Sequence, residues 1–309
     1  MKQTTQKIFS NGRAYVSGVV NEGLLMPENI MKLAAVAGIV YRNGGHHHRV
    51  LIGKDTRLSG YGIERALGAG FLSVGMEVME TGPIPAPAIA MLTGSMSCDV
   101  GVMIGASEEG FDHSGIEIFG PAHHALSADK VERMETLFPS DLSKKYSKGA
   151  QQGKARRIGG AQERYVEYTK GTLPRGTSFK GTRVVLDCAN GAAYKVAPQA
   201  FEELETELVP INVVPDGTNI SHECGTAAPR AVKAKVHHCR ADVGFAFDGS
   251  GSRLCLVDEK GTVVGHDALH AFFADKPWKD DALVLALQIV ALMRDGRVPA
   301  SQIFTKTEK

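Results

Sequence analysis

Long apolar runs, paired cysteines and an excess of either charge are all missing from these 309 residues. No stretch of about 18 apolar residues occurs, so no membrane-spanning helix is expected. The opening residues, MKQTTQKIFSNG, carry no apolar core, so no secretory leader is expected either. The five cysteines (Cys98, Cys188, Cys224, Cys239 and Cys255) are odd in number, widely spread and form no CxxC pair. Reduced thiols in a cytoplasmic protein are therefore the expectation. A formal net charge of +1 removes the electrostatic case for nucleic acid or an anionic membrane as partner. His46, His47 and His48 stand in a row. Consecutive side chains point in different directions, so the run predicts a surface loop rather than a metal site.

What is present is a repeated alternation of short β-rich runs and helical spacing. Apolar residues recur at helical intervals over 27–42, 60–76, 86–92 and 128–137. Between them, RVLIGKD (49–55), 77–82 and 99–104 read as strands. Residues 140–160 are rich in Lys, Ser, Gln and Gly, the composition of a linker or mobile surface stretch. A second alternation follows: helices over 162–173, 194–204 and 229–238, and strands over 183–189, 208–214 and 242–247. Beyond it come a hairpin near 258–261 and two helices, 267–275 and 280–294. Such alternation predicts an α/β layer fold built on mixed or mostly parallel sheets.

Six blocks carry a resemblance. They are VLIGKDTRLSGYG (50–62), TGPIPAPAIAML (81–92), DVGVMIGASEEGFDHSGIEIFG (99–120), VVLDCANGA (184–192), PDGTNISHECG (215–225) and GFAFDGSGSR (244–253). In content and order they resemble the phosphohexomutase family, its phosphoglucosamine mutase branch in particular. The resemblance implies two phosphohexomutase-type α/β domains, 1–155 and 156–253, and a remnant of a third over 254–309. It also implies that the family's C-terminal domain is absent. The family moves a phosphoryl group between the 1- and 6-positions of a sugar phosphate through a phosphoserine and Mg2+, a reaction carried by positioning and electrostatics.

Set beside the family's motifs, this sequence departs at the chemical positions. The family's Ser-Ala-Ser-His-Asn-Pro loop reads Gly105-Ala106-Ser107-Glu108-Glu109-Gly110. Ser107 falls at the nucleophile position, beside two carboxylates that would repel a phosphoserine of roughly −2 charge; the bland alternative is an ordinary loop hydroxyl. The family's Asp-Gly-Asp-x-Asp-Arg metal loop reads Asp248-Gly249-Ser250-Gly251-Ser252-Arg253. Asp248 is the sole remaining ligand, and Ser250 and Ser252 replace aspartates. Mg2+ takes anionic oxygens and dehydrates reluctantly, so its binding is expected to be weak or lost, with Asp248 left as a turn or capping residue. A rearranged cation site using Glu108, Glu109 and Asp248 is the alternative.

Arg13 falls out of register with the family's opening arginine, and Glu117 stands where the family has a lysine. The sugar-reading Glu-x-Ser-Gly-His motif is missing, as if the middle of the third domain were deleted near Lys276-Pro277-Trp278. Lys54, Arg57 and Arg253 are retained as candidate substrate- or phosphate-binding residues, with internal ion pairing as the competing role for Arg57. The expectation is a catalytically impaired homologue that works through a protein partner or as a homo-oligomer. Leu283, Leu285, Ile289 and Leu292 are its predicted exposed apolar face. A residual phosphotransferase and a sugar-phosphate sensor are the alternatives.

Overall fold

The run Arg49–Lys54 (β2) is buried at five of its six residues. A strand apolar on both faces must sit at the centre of a covered sheet. In the computed structural model, which describes residues 8–9, 14–42, 45–105, 110–121 and 125–304, β2 pairs in parallel with Glu77–Pro83 (β3) and Val100–Ile104 (β4). The chain divides into two compact units, Met1–Gly159 and Gly160–Lys309.

The first unit holds a six-stranded sheet. Tyr15–Val19 (β1) and His113–Phe119 (β5) join antiparallel on the β4 side, and Ala155–Arg157 (β6) joins parallel beside β3, giving the order β1-β5-β4-β2-β3-β6. The sheet is thus mixed. The segment read as a linker contributes an edge strand, because Gly153 lets the chain lie flat on β3: a Cβ there would sit 1.8 Å from the Met76 carbonyl oxygen. Pro27–Tyr41 (α1), Ser59–Ser73 (α2), Ala86–Ser95 (α3) and Ala128–Leu137 (α4) are its helices. Helices α1 and α2 meet closely at Gly70, where a Cβ would stand 2.2 Å from the Met31 carbonyl oxygen. Ile30, Leu33, Leu67 and Phe71 fill the space between these helices and the sheet.

A buried ion pair joins β2 to α2. Lys54 donates to Glu64 at 2.8 Å, and both side chains are almost wholly buried. The Lys54 ammonium also lies 3.8 Å from the centre of the Tyr61 ring.

The second unit holds Arg183–Asp187 (β7), Glu207–Ile211 (β8), Val243–Phe247 (β9), Leu254–Asp258 (β10) and Val263–Val264 (β11), ordered β11-β10-β9-β7-β8. The β8-β7-β9 core is parallel, and β10 and β11 are antiparallel. Its helices are Ala161–Lys170 (α5), Val196–Glu203 (α6), Arg230–Cys239 (α7), His266–Phe272 (α8), Ala282–Gly296 (α9) and Ala300–Ile303 (α10). Residues 254–304, set apart by the sequence reading, build the hairpin edge of this sheet and its most buried helix. The five cysteines are free thiols. No helix among the described residues is long and apolar enough to cross a membrane.

Helix α9 corrects one expectation. Leu283, Leu285 and Ile289 are at most 1% exposed, and of the four residues only Leu292 is open, at 42%. The helix is apolar on nearly every face because it packs inside its own unit, against α5 and β10. Polar contacts fix it there: Gln288 donates to the Thr172 carbonyl at 2.9 Å, and Arg294 donates to the Lys180 carbonyl at 2.8 Å. Asp281 caps its N-terminus, accepting from the Leu283 and Val284 amides, each at 3.1 Å, and from the Tyr165 hydroxyl at 2.8 Å.

Removing one partner of a buried ion pair strands the other charge. Glu64→Ala is expected to cost about 3–5 kcal/mol of stability, read as a lower denaturant midpoint, and a Lys54→Met/Glu64→Leu double variant to recover most of it. Burial pushes the Asp281 carboxyl up to about 6, against the lowering pull of the Val284 amide, the Tyr165 hydroxyl and the Leu283 amide. Between about pH 4 and that value the folded chain holds a proton that the unfolded chain has released, so acidification favours folding through this group. Relative to Asp281→Asn, the wild-type protein is expected to gain stability as pH falls from 7 to 4, by at most about 3 kcal/mol. A difference that stays flat across that window would contradict the assignment.

Candidate functional site

Parallel strands deliver their following loops to one edge of a sheet, and ligands of open α/β sheets bind along that edge. In the first unit this edge carries the loops after β2 and β4. Asp55 follows β2, and its amide donates to the Ile104 carbonyl at 3.0 Å, bringing the two loops together. Gly105 follows β4 with φ of +96° and lies so close to Asp55 that a Cβ would meet its Oδ2 at 2.1 Å. A residue with a Cβ would not fit this backbone.

Arg57 is the clamp of the loop. Its side chain is fully buried. Its Nε donates to Asp55 Oδ2 at 2.9 Å and its own amide to Asp55 Oδ1 at 3.0 Å. Its Nη1 donates to the carbonyls of Gly110 and, at 3.1 Å, of His113. The guanidinium therefore holds the return of the loop against the end of β2. Lys54 and Arg57, both candidates for binding anions, are each engaged with a buried carboxylate. Ser107, Glu108 and Glu109 lie outside the described residues, as does Arg13. Glu117 sits on β5, opposite Tyr15 and Met103.

In the second unit the corresponding edge gathers the loops after β7 and β9. Asp187, at the end of β7, is fully buried. Burial raises its pKa, against the lowering effect of the Ala189 amide (2.8 Å) and the Gly225 amide (3.0 Å). The Ala192 amide donates to the Gly249 carbonyl at 2.8 Å. Gly191 approaches so closely that a Cβ would stand 2.4 Å from that carbonyl oxygen. The Asp187 loop thus presses directly on the Asp248 loop. The signal for Asp187 in the sequence is an aspartate that ends an apolar strand three residues before Asn190-Gly191.

Asp248 is 7% exposed and faces inward on its own turn. Oδ2 accepts from the Ser250 amide at 3.1 Å and the Ser250 hydroxyl at 2.5 Å. Oδ1 accepts from the Ser252 amide at 2.8 Å and the Arg253 amide at 2.7 Å. A carboxylate offers about four lone-pair sites, and these four donors account for all of them. The Ser250 and Ser252 hydroxyls bond to each other at 2.7 Å. One saturated carboxylate and two paired hydroxyls do not fit Mg2+, which takes several anionic or water oxygens in a rigid octahedron. Arg253 is half-buried and reaches Asp267 at 3.5 Å.

Comparison with known proteins places these two edges in context. Residues 10–145 match the family model described as phosphoglucomutase/phosphomannomutase, alpha/beta/alpha domain I, and residues 163–261 match domain II. Phosphoglucosamine mutase of Rhodopseudomonas palustris (strain TIE-1) is 51% identical over 269 residues, and that of Nitrobacter winogradskyi is 52% identical over the same length. Each alignment covers 87% of this chain and 60% of the relative, so the chain spans about 60% of the length of these curated relatives. Among solved structures, a putative phosphomannomutase from Thermus thermophilus superposes with a TM-score of 0.80 at 17% identity, covering 97% of this chain and 83% of that one. A phosphoglucomutase/phosphomannomutase family protein from Burkholderia thailandensis gives 0.76 at 19% identity, covering 96% and 79%. At such identities the likeness is one of fold. With both α/β domain models matched in order over most of its length, the chain belongs to the phosphoglucomutase/phosphomannomutase family, the phosphohexomutases.

Proposed function

We propose that this chain is a phosphoglucosamine-mutase-like protein whose own phosphoryl-transfer chemistry is strongly impaired, and that its remaining role is binding or structural. The observation that supports this most is the state of Asp248. Its lone pairs are spent on four donors within its own loop, and the flanking positions supply hydroxyls rather than carboxylates. Charge on a transferring phosphoryl group must be offset where it develops. A loop with one committed carboxylate gives no grip on the cation that the family uses for this.

Lys54 and Arg57 point the same way. Each is held in a buried ion pair, so recruiting either to a sugar phosphate would leave a carboxylate stranded. A role beside a partner chain or in a homo-oligomer rests on the altered loops alone, since the apolar residues of α9 are taken up within the second unit. The competing reading, a residual phosphotransferase acting on hexosamine or hexose phosphates through Ser107, is favoured by the 51% identity to phosphoglucosamine mutases.

The deciding experiment is conversion of glucosamine 6-phosphate to glucosamine 1-phosphate with Mg2+ present. No magnesium-dependent turnover is expected; turnover that disappears in Ser107→Ala would establish the competing reading. Calorimetry supplies an independent check. Wild-type protein is expected to bind Mg2+ at least about tenfold more weakly than the Ser250→Asp/Ser252→Asp double variant, which returns two carboxylates to the loop.

A further inference from the structure

The opposite edge of the first sheet, where β2 and β4 begin, carries a second cluster of polar side chains. His48 immediately precedes β2 and Asp99 immediately precedes β4, and the Asp99 amide donates to the Arg49 carbonyl at 2.9 Å. Pairing of β2 with β4 thus brings the two residues side by side. His46 lies two residues before His48. His47, between them, is exposed. The ring centroids of His46 and His48 are 4.1 Å apart. The three histidines lie in the loop between α1 and β2, where a surface loop was expected.

Three ligand atoms, one each from His46, His48 and Asp99, all lie within 4.8 Å of one another. Asp99 Oδ2 accepts from the Arg49 amide at 2.8 Å, which turns Oδ1 toward the rings. Oδ1 is 2.7 Å from His46 Nε2 and 3.6 Å from His48 Nδ1. Two donors on a tetrahedral ion, each about 2.0–2.1 Å from it, stand roughly 3.3 Å apart. The two separations from Oδ1 bracket that value.

The independent observation is His48 itself. It is only 7% exposed, and its Nδ1 is buried with no hydrogen-bond partner among the described residues. A buried polar nitrogen left unpaired is costly and rare, and here it is aimed at the carboxylate oxygen that also faces His46.

We propose that His46, His48 and Asp99 form a binding site for a divalent transition-metal ion, with Zn2+ the best match to two imidazoles and one carboxylate. Nitrogen donors of this kind select against Mg2+ and Ca2+. The Arg49 amide acts as the outer partner that orients the carboxylate. His46 is 57% exposed and provides the way in for the ion and for a solvent ligand at an open coordination position. The ion would tie together the starts of β2 and β4. It sits at the sheet edge opposite the Arg57-clamped loop, so its role is to brace the first unit and not to take part in phosphoryl transfer.

The test uses the full chain with Co2+ as a coloured probe, then Zn2+ in competition. One Co2+ per chain is expected, with the visible ligand-field absorption of a nitrogen-containing site, displaced by Zn2+. His46→Ala and His48→Gln should each weaken binding by about tenfold or more. His47→Ala should leave it unchanged. Because His46 is exposed, His46→Ala tests the site without disturbing the core, which circular dichroism would verify. Absence of the absorption band, or equal binding by wild-type and His46→Ala protein, would overturn the proposal.

Discussion

Direction along a parallel ladder governs the chemistry of this protein. Because β2 runs alongside β3 and β4 in the same sense, residues entering the strands collect at one edge and residues leaving them at the other. The leaving edge receives Asp55, Arg57 and Gly105, and the entering edge receives His48 and Asp99. In the second unit, β7, β8 and β9 repeat the arrangement and press the Asp187 loop onto the Asp248 loop. Hydrogen bonds between main chains thereby decide which side chains can meet, before any side chain has a say.

Aspartates are the recurrent fasteners at these edges. Asp55, Asp187, Asp248 and Asp281 each accept from backbone amides and close a turn or a helix start. Such bonds to an ionised acceptor are among the stronger ones in a fold. They also use up the acceptor. Asp248 illustrates the pull between fastening and chemistry, since its four hydrogen bonds all run to donors of its own loop. Asp99 differs, for only Oδ2 is held by an amide while Oδ1 faces imidazoles.

Much of this was legible in the residues. Helix α4 occupies the span that apolar spacing marked, and β2, β9 and the hairpin of β10 and β11 fall where short apolar runs or turn residues placed them. Strands β1 and β6 were not legible, because YVSGV and ARR owe their pairing to neighbours distant in sequence, not to their own apolar content. The burial of Leu283, Leu285 and Ile289 was hidden for a related reason: periodicity reveals an apolar helix but not what covers it. The internal commitments of Lys54 and Arg57 needed the positions of Glu64 and Asp55. The closeness of Asp99 to the histidines needed the pairing of two strands some fifty residues apart in the chain.

Helix α9 is anchored by Tyr165, Thr172 and Lys180 near the start of the second unit, while α8 packs on β10. Each helix has its own moorings. The stretch between them exposes Ala274, Asp275, Lys276 and Pro277, and Trp278 closes it against Phe273, with ring centroids 5.2 Å apart. An exposed span of this kind tolerates a change of loop length while both flanking helices keep their berths.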